Sequence, residues 1–215
     1  MSYPYRLTST RAQAAAVAVL LAAMALAVGC NNQQTVRTDA NYRTIQASPL
    51  QDTDAAKRLN QQGLAHLADG ELEKAENTFK AAITEDIEYG PAHNNLGKVY
   101  YLQGDYYQAA LEYDYARRQM PTHAGPRYNL GLIYERAAKQ DAPIVNLNRA
   151  IEYYREAVAL APGNITYRAA LAHALVERGD KTDELRDLLE QILEKDRRPD
   201  WITWARRQRA ALGDD

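Results

Sequence analysis

The stretch Pro91–Pro121, PAHNNLGKVYYLQGDYYQAALEYDYARRQMP, decides the fold. His93, Leu96, Gly97 and Tyr100 recur at i, i+3, i+4 and i+7 and share one stripe of a first helix. Ala109, Tyr113 and Ala116 share a stripe of a second. Gly97 and Ala109 are small where two backbones approach, and Tyr100 and Tyr113 fill the space beside them. Gly104-Asp105 supplies the turn and the next helix start, and Pro121 ends the second helix.

A two-helix unit of this size cannot bury its own apolar face, so the reading requires neighbours at a fixed period. Gly63, Gly97 and Gly131 are each thirty-four residues apart, in the matching frames Gln62-Gly63, Leu96-Gly97 and Leu130-Gly131. Leu-Gly, an aromatic, then Ala, an aromatic and Pro on this period resembles the tetratricopeptide repeat (TPR). The resemblance implies an all-α, right-handed α-solenoid of helix hairpins whose first helices line a concave groove.

Working outward, repeats are expected at about 56–89, 90–123, 124–164 and 165–198, with a capping helix at 199–212. The first opens near Asp54 as helix cap and carries Leu59, Gly63 and His66, then Ala75, Phe79 and Ala82, with Gly70 at the turn. The third starts with Arg127, Leu130, Gly131 and Tyr134, but Ala150, Tyr154 and Ala157 arrive seven residues late. Seven residues make two helical turns, so both helices can lengthen without rotating a stripe out of register, and Lys139–Asn148 around Pro143 is the expected elbow. The fourth is degenerate, with Ala172 in place of glycine and Glu184 in place of alanine, as a terminal repeat should be. Trp201, Ala205 and Leu212 share the stripe that caps the stack.

The chain has 215 residues, 46 % apolar and 25 % charged, with net charge −2, a balance that points away from nucleic acid. Its single cysteine, Cys30, excludes an internal disulfide framework. Arg6 and Arg11 precede an uninterrupted small and apolar run, Ala14 to Gly29, that ends Leu26-Ala27-Val28-Gly29-Cys30. This resembles a bacterial lipoprotein signal peptide over residues 1–29, with Ala27 where the family's lipobox usually has Leu. The resemblance implies lipidation of Cys30 as the mature N-terminus. Asn31, not Asp, follows it, which by the family's sorting rule implies an outer-membrane lipoprotein facing the periplasm. Removing the segment leaves 24 basic residues against 28 acidic ones. Residues 30–53 are polar, weakly periodic and contain Pro49, a flexible tether with an r.m.s. span of roughly 25 Å, and 54–215 is the TPR domain.

No zinc spacing, nucleophile elbow or glycine-rich phosphate loop is present, so no catalytic residue, metal site or cofactor is assigned and an enzyme is not expected. Acidic pairs such as Glu71/Glu73 and Asp86/Glu88 read as solvated faces. His66 and His93 occupy packing positions, and His173 faces the groove.

The groove-facing positions recur as Asn60, Leu64, Leu67; Asn94, Lys98, Tyr101; Tyr128, Leu132, Glu135; and Ala169, His173, Val176, each triplet on one helix face. Gln61, Asn95 and Asn129, thirty-four apart, form an amide ladder suited to holding the backbone of an extended peptide or to bonding the neighbouring helix. The expected partner-binding set is therefore Asn60, Gln61, Asn94, Asn95, Lys98, Tyr101, Tyr128, Asn129, Glu135 and His173. Lys98 is the only cation among the triplets, a departure from the carboxylate clamp of chaperone-binding TPRs. Arg197, Arg198, Arg206, Arg207 and Arg209 form a basic end. The expected function is a membrane-anchored protein-interaction scaffold of the envelope. The alternative is a pilotin-like assembly factor for an outer-membrane secretin or pilus, and a small-solute receptor would want a more enclosed pocket.

Overall fold

The structure, a computed structural model, describes residues 51–213; the expected signal segment, Cys30 and most of the expected tether lie outside the described residues. All described residues belong to one unit, Ala47–Asp215. Among them nine helices follow in chain order: α1 (Thr53–Ala68), α2 (Leu72–Glu85), α3 (Gly90–Gln103), α4 (Tyr106–Gln119), α5 (Ala124–Ala138), α6 (Pro143–Leu160), α7 (Ile165–Arg178), α8 (Asp183–Lys195) and α9 (Pro199–Ala211). Each packs on its neighbours in sequence, and the first helices of adjacent hairpins also touch, α1 on α3 and α3 on α5.

The helix boundaries follow from local chemistry. Asp105, Asn164 and Thr182 accept backbone N–H bonds at the starts of α4, α7 and α8, satisfying donors that a helix leaves unpaired. Gly104 (φ 86°) and Gly179 (φ 90°) end α3 and α7 in the left-handed conformation. The first cap is Asp52, not Asp54: its carboxylate accepts from Ala55 N, and Asp54 pairs instead with Lys57. Residues ahead of the expected start are also tied to the first hairpin. Gln51 bridges to Asp86, Asp52 N donates to the Glu85 carbonyl at 2.9 Å, and the Thr53 hydroxyl donates to Asp86 at 2.7 Å. Asp86, 6 % exposed, is thus a buried staple and not part of a solvated face.

The thirty-four-residue glycines sit where expected, each beneath an aromatic ring of its second helix. A Cβ on Gly63 would lie 2.6 Å from Phe79, and one on Gly97 would lie 2.8 Å from Tyr113 and 3.2 Å from the Ala109 carbonyl oxygen. One on Gly131 would enter the Tyr154 ring. Only glycine permits those approaches. In the fourth hairpin Ala172 lies in a core with the aliphatic Leu188 and Leu189.

The insertion in the third hairpin is divided unevenly. α5 has 15 residues and α6 has 18, against 14 in each of α3 and α4, and the connection between α5 and α6 spans Lys139–Ala142. Most of the extra length is helical and belongs to α6, which starts at Pro143, so the elbow is shorter than the expected Lys139–Asn148. It carries Ile144 and Val145 into solvent, 56 % and 57 % exposed. The register is kept, because Ala150, Tyr154 and Ala157 are all fully buried.

Among the described residues, the core is broadest at the carboxy-terminal end. There α6 to α9 share one cluster that includes Tyr154, Leu175, Leu189 and Ala205, with Trp201, Trp204 and Leu212 packed against it. Between α2 and α3, and between α4 and α5, smaller clusters form around Phe79 with Leu96 and around Tyr113 with Leu130.

Candidate functional site

The first helices α1, α3, α5 and α7 present one face in common, and two kinds of construction alternate along it. In the amino-terminal part, side-chain amides bond from helix to helix. Asn95 Nδ2 donates to Asn60 Oδ1 at 2.8 Å and Asn129 Nδ2 donates to Asn94 Oδ1 at 3.0 Å. These rungs join residues thirty-five apart, one more than the repeat. Asn60 is buried, at 6 % exposure, and Gln61 is exposed beside it. The ladder is therefore carried by Asn60, Asn94, Asn95 and Asn129, and Gln61 stands outside these two rungs. Each amide engages one N–H or one oxygen in a rung, which leaves further donor and acceptor capacity. Asn94 and Asn95 also line a concavity of about 480 Å³ with Pro126 and Tyr167, where α3, α5 and α7 begin.

In the carboxy-terminal part the same face is aromatic and ionic. His173 Nδ1 lies 3.0 Å from Glu135 Oε1, and the Tyr154 hydroxyl donates to Glu135 Oε2 at 2.7 Å. Burial alone would raise the Glu135 carboxyl, but the hydrogen bonds from His173 and Tyr154 hold it below its ordinary value. The bond to Glu135 outweighs burial at His173 and raises its pKa, while burial pushes the Tyr154 hydroxyl far upward, so it remains a donor. The rings of Trp201 and Trp204 stand 6.2 and 5.8 Å from that of His173.

Above this pair opens a pocket of about 190 Å³ walled by Tyr128, Leu132, Glu135, His173, Arg198 and Trp201. Arg198 lies over the Trp201 ring at 5.1 Å and is held by the buried carboxylate of Asp196. The Tyr128 ring meets, at a tilt and 4.9 Å away, that of Tyr167, which lines the larger concavity, so this pair stands between the two hollows.

No family model and no curated protein sequence matches the chain. Solved structures do match. A thermophilic TPR protein of Thermus thermophilus aligns with a TM-score of 0.61 at 17 % identity over 74 % of this chain and 86 % of its own. The first TPR of Spaghetti (RPAP3), bound to the HSP90 peptide SRMEEVD, aligns with a TM-score of 0.54 at 17 % identity, over 61 % of this chain and 98 % of that one. MamA of Desulfovibrio magneticus RS-1 aligns with a TM-score of 0.52 at 22 % identity, over 71 % and 76 %. The fold is a TPR solenoid. At these identities the likeness carries the fold and nothing finer.

Within the TPR frame the expected groove residues separate. Lys98 is exposed. Tyr101 is half-buried, packing edge-on against Tyr106 of α4 at 5.5 Å, so part of its ring belongs to the hairpin core. Glu135 and His173 meet each other, a contact the triplet pattern did not couple. His93 is a buried polar node as well as a packing residue: Nδ1 meets Glu112 at 2.6 Å and Nε2 meets the Ile87 carbonyl at 2.8 Å. The residues missed from sequence are Trp201 and Arg198, read there only as cap and basic patch. Their place in the groove depends on how α9 folds back against α7, for which spacing gives no signal.

Proposed function

We propose that this protein is a non-catalytic interaction scaffold of the bacterial envelope, tethered through a lipidated Cys30, that holds an extended segment of a partner protein along the concave TPR face. The observation that carries this reading is the pocket between Tyr128 and Trp201. It offers rigid aromatic walls, an Arg198 guanidinium at the rim and nearby amides with unfilled hydrogen-bonding capacity. A partner's apolar side chain fits a hollow of that size, with its backbone running past Asn94 and Asn95. The complex of the Spaghetti TPR with a peptide supports the use of such a fold for this purpose. Lys98 is the only cation in the expected set, so a carboxylate clamp is not part of the proposal.

The test is crosslinking capture from envelope fractions with wild type and with Trp201→Ala and Tyr128→Ala. Each variant should lose about 2 kcal/mol of binding, roughly thirtyfold, as buried aromatic anchors do. Capture that persists in both variants at an unchanged melting temperature refutes the groove. A captured secretin would place the protein among assembly factors, and a cell-wall enzyme among adaptors. Independently, Cys30→Ala should shift the protein from membranes to a soluble or unprocessed form. A wild-type mature chain without lipid, by intact mass, would remove the anchor from the proposal.

A further inference from the structure

Glu135 on α5, and His173 and Glu177 on α7, each present one ligand-type atom, and these atoms all lie within 4.8 Å of one another. His173 and Glu177 are four residues apart and share one face of α7. The neighbouring first helix brings Glu135 opposite them. We propose that these three residues bind a divalent transition-metal cation of the Zn²⁺ class, with the remaining coordination position open to the groove.

The donor set selects the ion. One imidazole nitrogen with two carboxylate oxygens suits Zn²⁺ or Co²⁺, whereas Ca²⁺ and Mg²⁺ prefer oxygen alone. Bonds of about 2.0–2.2 Å in a tetrahedral site bring the donors to roughly 3.5 Å from one another. His173 Nδ1 and Glu135 Oε1, 3.0 Å apart, need only open slightly to admit the ion. Glu177, on the exposed side of α7, closes the rest by side-chain rotation. Charge balances too: two carboxylates and a neutral imidazole offset the ion, which takes the place of the Lys139 ammonium 3.8 Å from Glu177.

The surroundings match those of a metal centre. The Tyr154 hydroxyl bonds the other oxygen of Glu135 at 2.7 Å, which fixes the carboxylate with Oε1 turned toward His173. Trp201 and Trp204 flank the His173 ring and hold its plane. Glu135 and His173 both wall the 190 Å³ pocket, which gives the ion a route from solvent and room for a water or a partner's side chain as the last ligand. The site stands whether or not a peptide occupies the groove.

The experiment uses the full chain in detergent, stripped with EDTA and dialysed, then titrated with CoCl₂. The chain's two tryptophans both flank His173, so Co²⁺ in the site quenches their emission. Saturable quenching at one equivalent is expected, reversed by ZnCl₂ and not by MgCl₂. Glu177→Gln, a surface change that leaves the fold intact, should weaken it about tenfold or more, and His173→Gln should abolish it. Absence of saturable quenching overturns the proposal, as does quenching of wild-type strength in Glu177→Gln.

Discussion

The two halves of the groove are built on the same repeat positions and use them differently. In the amino-terminal half, Asn60, Asn94, Asn95 and Asn129 bond one first helix to the next, and the polar face is largely a seam that holds the stack in register. In the carboxy-terminal half the helices are joined by a continuous apolar core behind them, and the face is left to Tyr128, Glu135 and His173, with Trp201 and Arg198 closing it from the capping helix. A solenoid can hold adjacent hairpins together through its core or through its concave surface. Where the core does it, the surface is available for a site.

The largest test of this contrast is at the helix crossings. Gly97→Leu drives a side chain into Tyr113 and toward the fixed Ala109 carbonyl, and should cost about 1–3 kcal/mol. Ala172→Gly, at the corresponding place in the last repeat, should cost only about 1 kcal/mol, the usual helix-interior penalty. Thermal melts of the two variants decide this, and equal losses would erase the distinction between the crossings.

A smaller effect is expected at the rungs. Asn95→Ala leaves Asn60 Oδ1 buried without its donor and should lower stability by about 1 kcal/mol, and Asn129→Ala should cost less because its acceptor Asn94 is only half-buried. Partner capture should weaken less in the Asn95→Ala, Asn129→Ala double variant than in Trp201→Ala. The reverse order would move the centre of recognition to the amides.

The smallest expected effect is acid loosening of the capping helix. Asp196 is 1 % exposed at its side chain and bonded by Arg198, whose hydrogen bond holds the carboxyl below its ordinary value against the opposing effect of burial. A depressed folded-state value stabilises the fold above the unfolded-state value near 3.8, and that contribution is lost as pH falls through the folded-state value. Tryptophan emission from Trp201 and Trp204 should therefore change below about pH 4. In Asp196→Asn the acid-dependent component should be reduced.

How much of this was legible in the sequence depended on periodicity. Gly63, Gly97 and Gly131 fixed the hairpin frame because a close helix crossing tolerates no Cβ, a requirement that belongs to single positions on a fixed period. The asparagines were legible as a ladder but not as rungs. The same amide chemistry serves a peptide or a neighbouring helix, and only the offset of thirty-five rather than thirty-four reveals which atoms meet. Glu135, His173 and Glu177 were invisible as a group, since Glu135 and His173 lie on different helices at a separation displaced by the insertion. Asp86 was misplaced for a related reason: its partners Thr53 and Gln51 lie before the first expected cap, where the sequence reads as tether.

The neighbour-only packing of these helices has a kinetic consequence. Each hairpin touches little beyond the next, so chain closure never has to bring together residues from opposite ends of the domain. Folding should start within any hairpin and spread, on the microsecond-to-millisecond scale of helical proteins with local contacts. The broad core of α6–α9 makes the carboxy-terminal end the favoured nucleus. Under mechanical load applied through the amino terminus, α1 and α2 should peel away first, leaving the pocket around Trp201 intact until the last hairpins give.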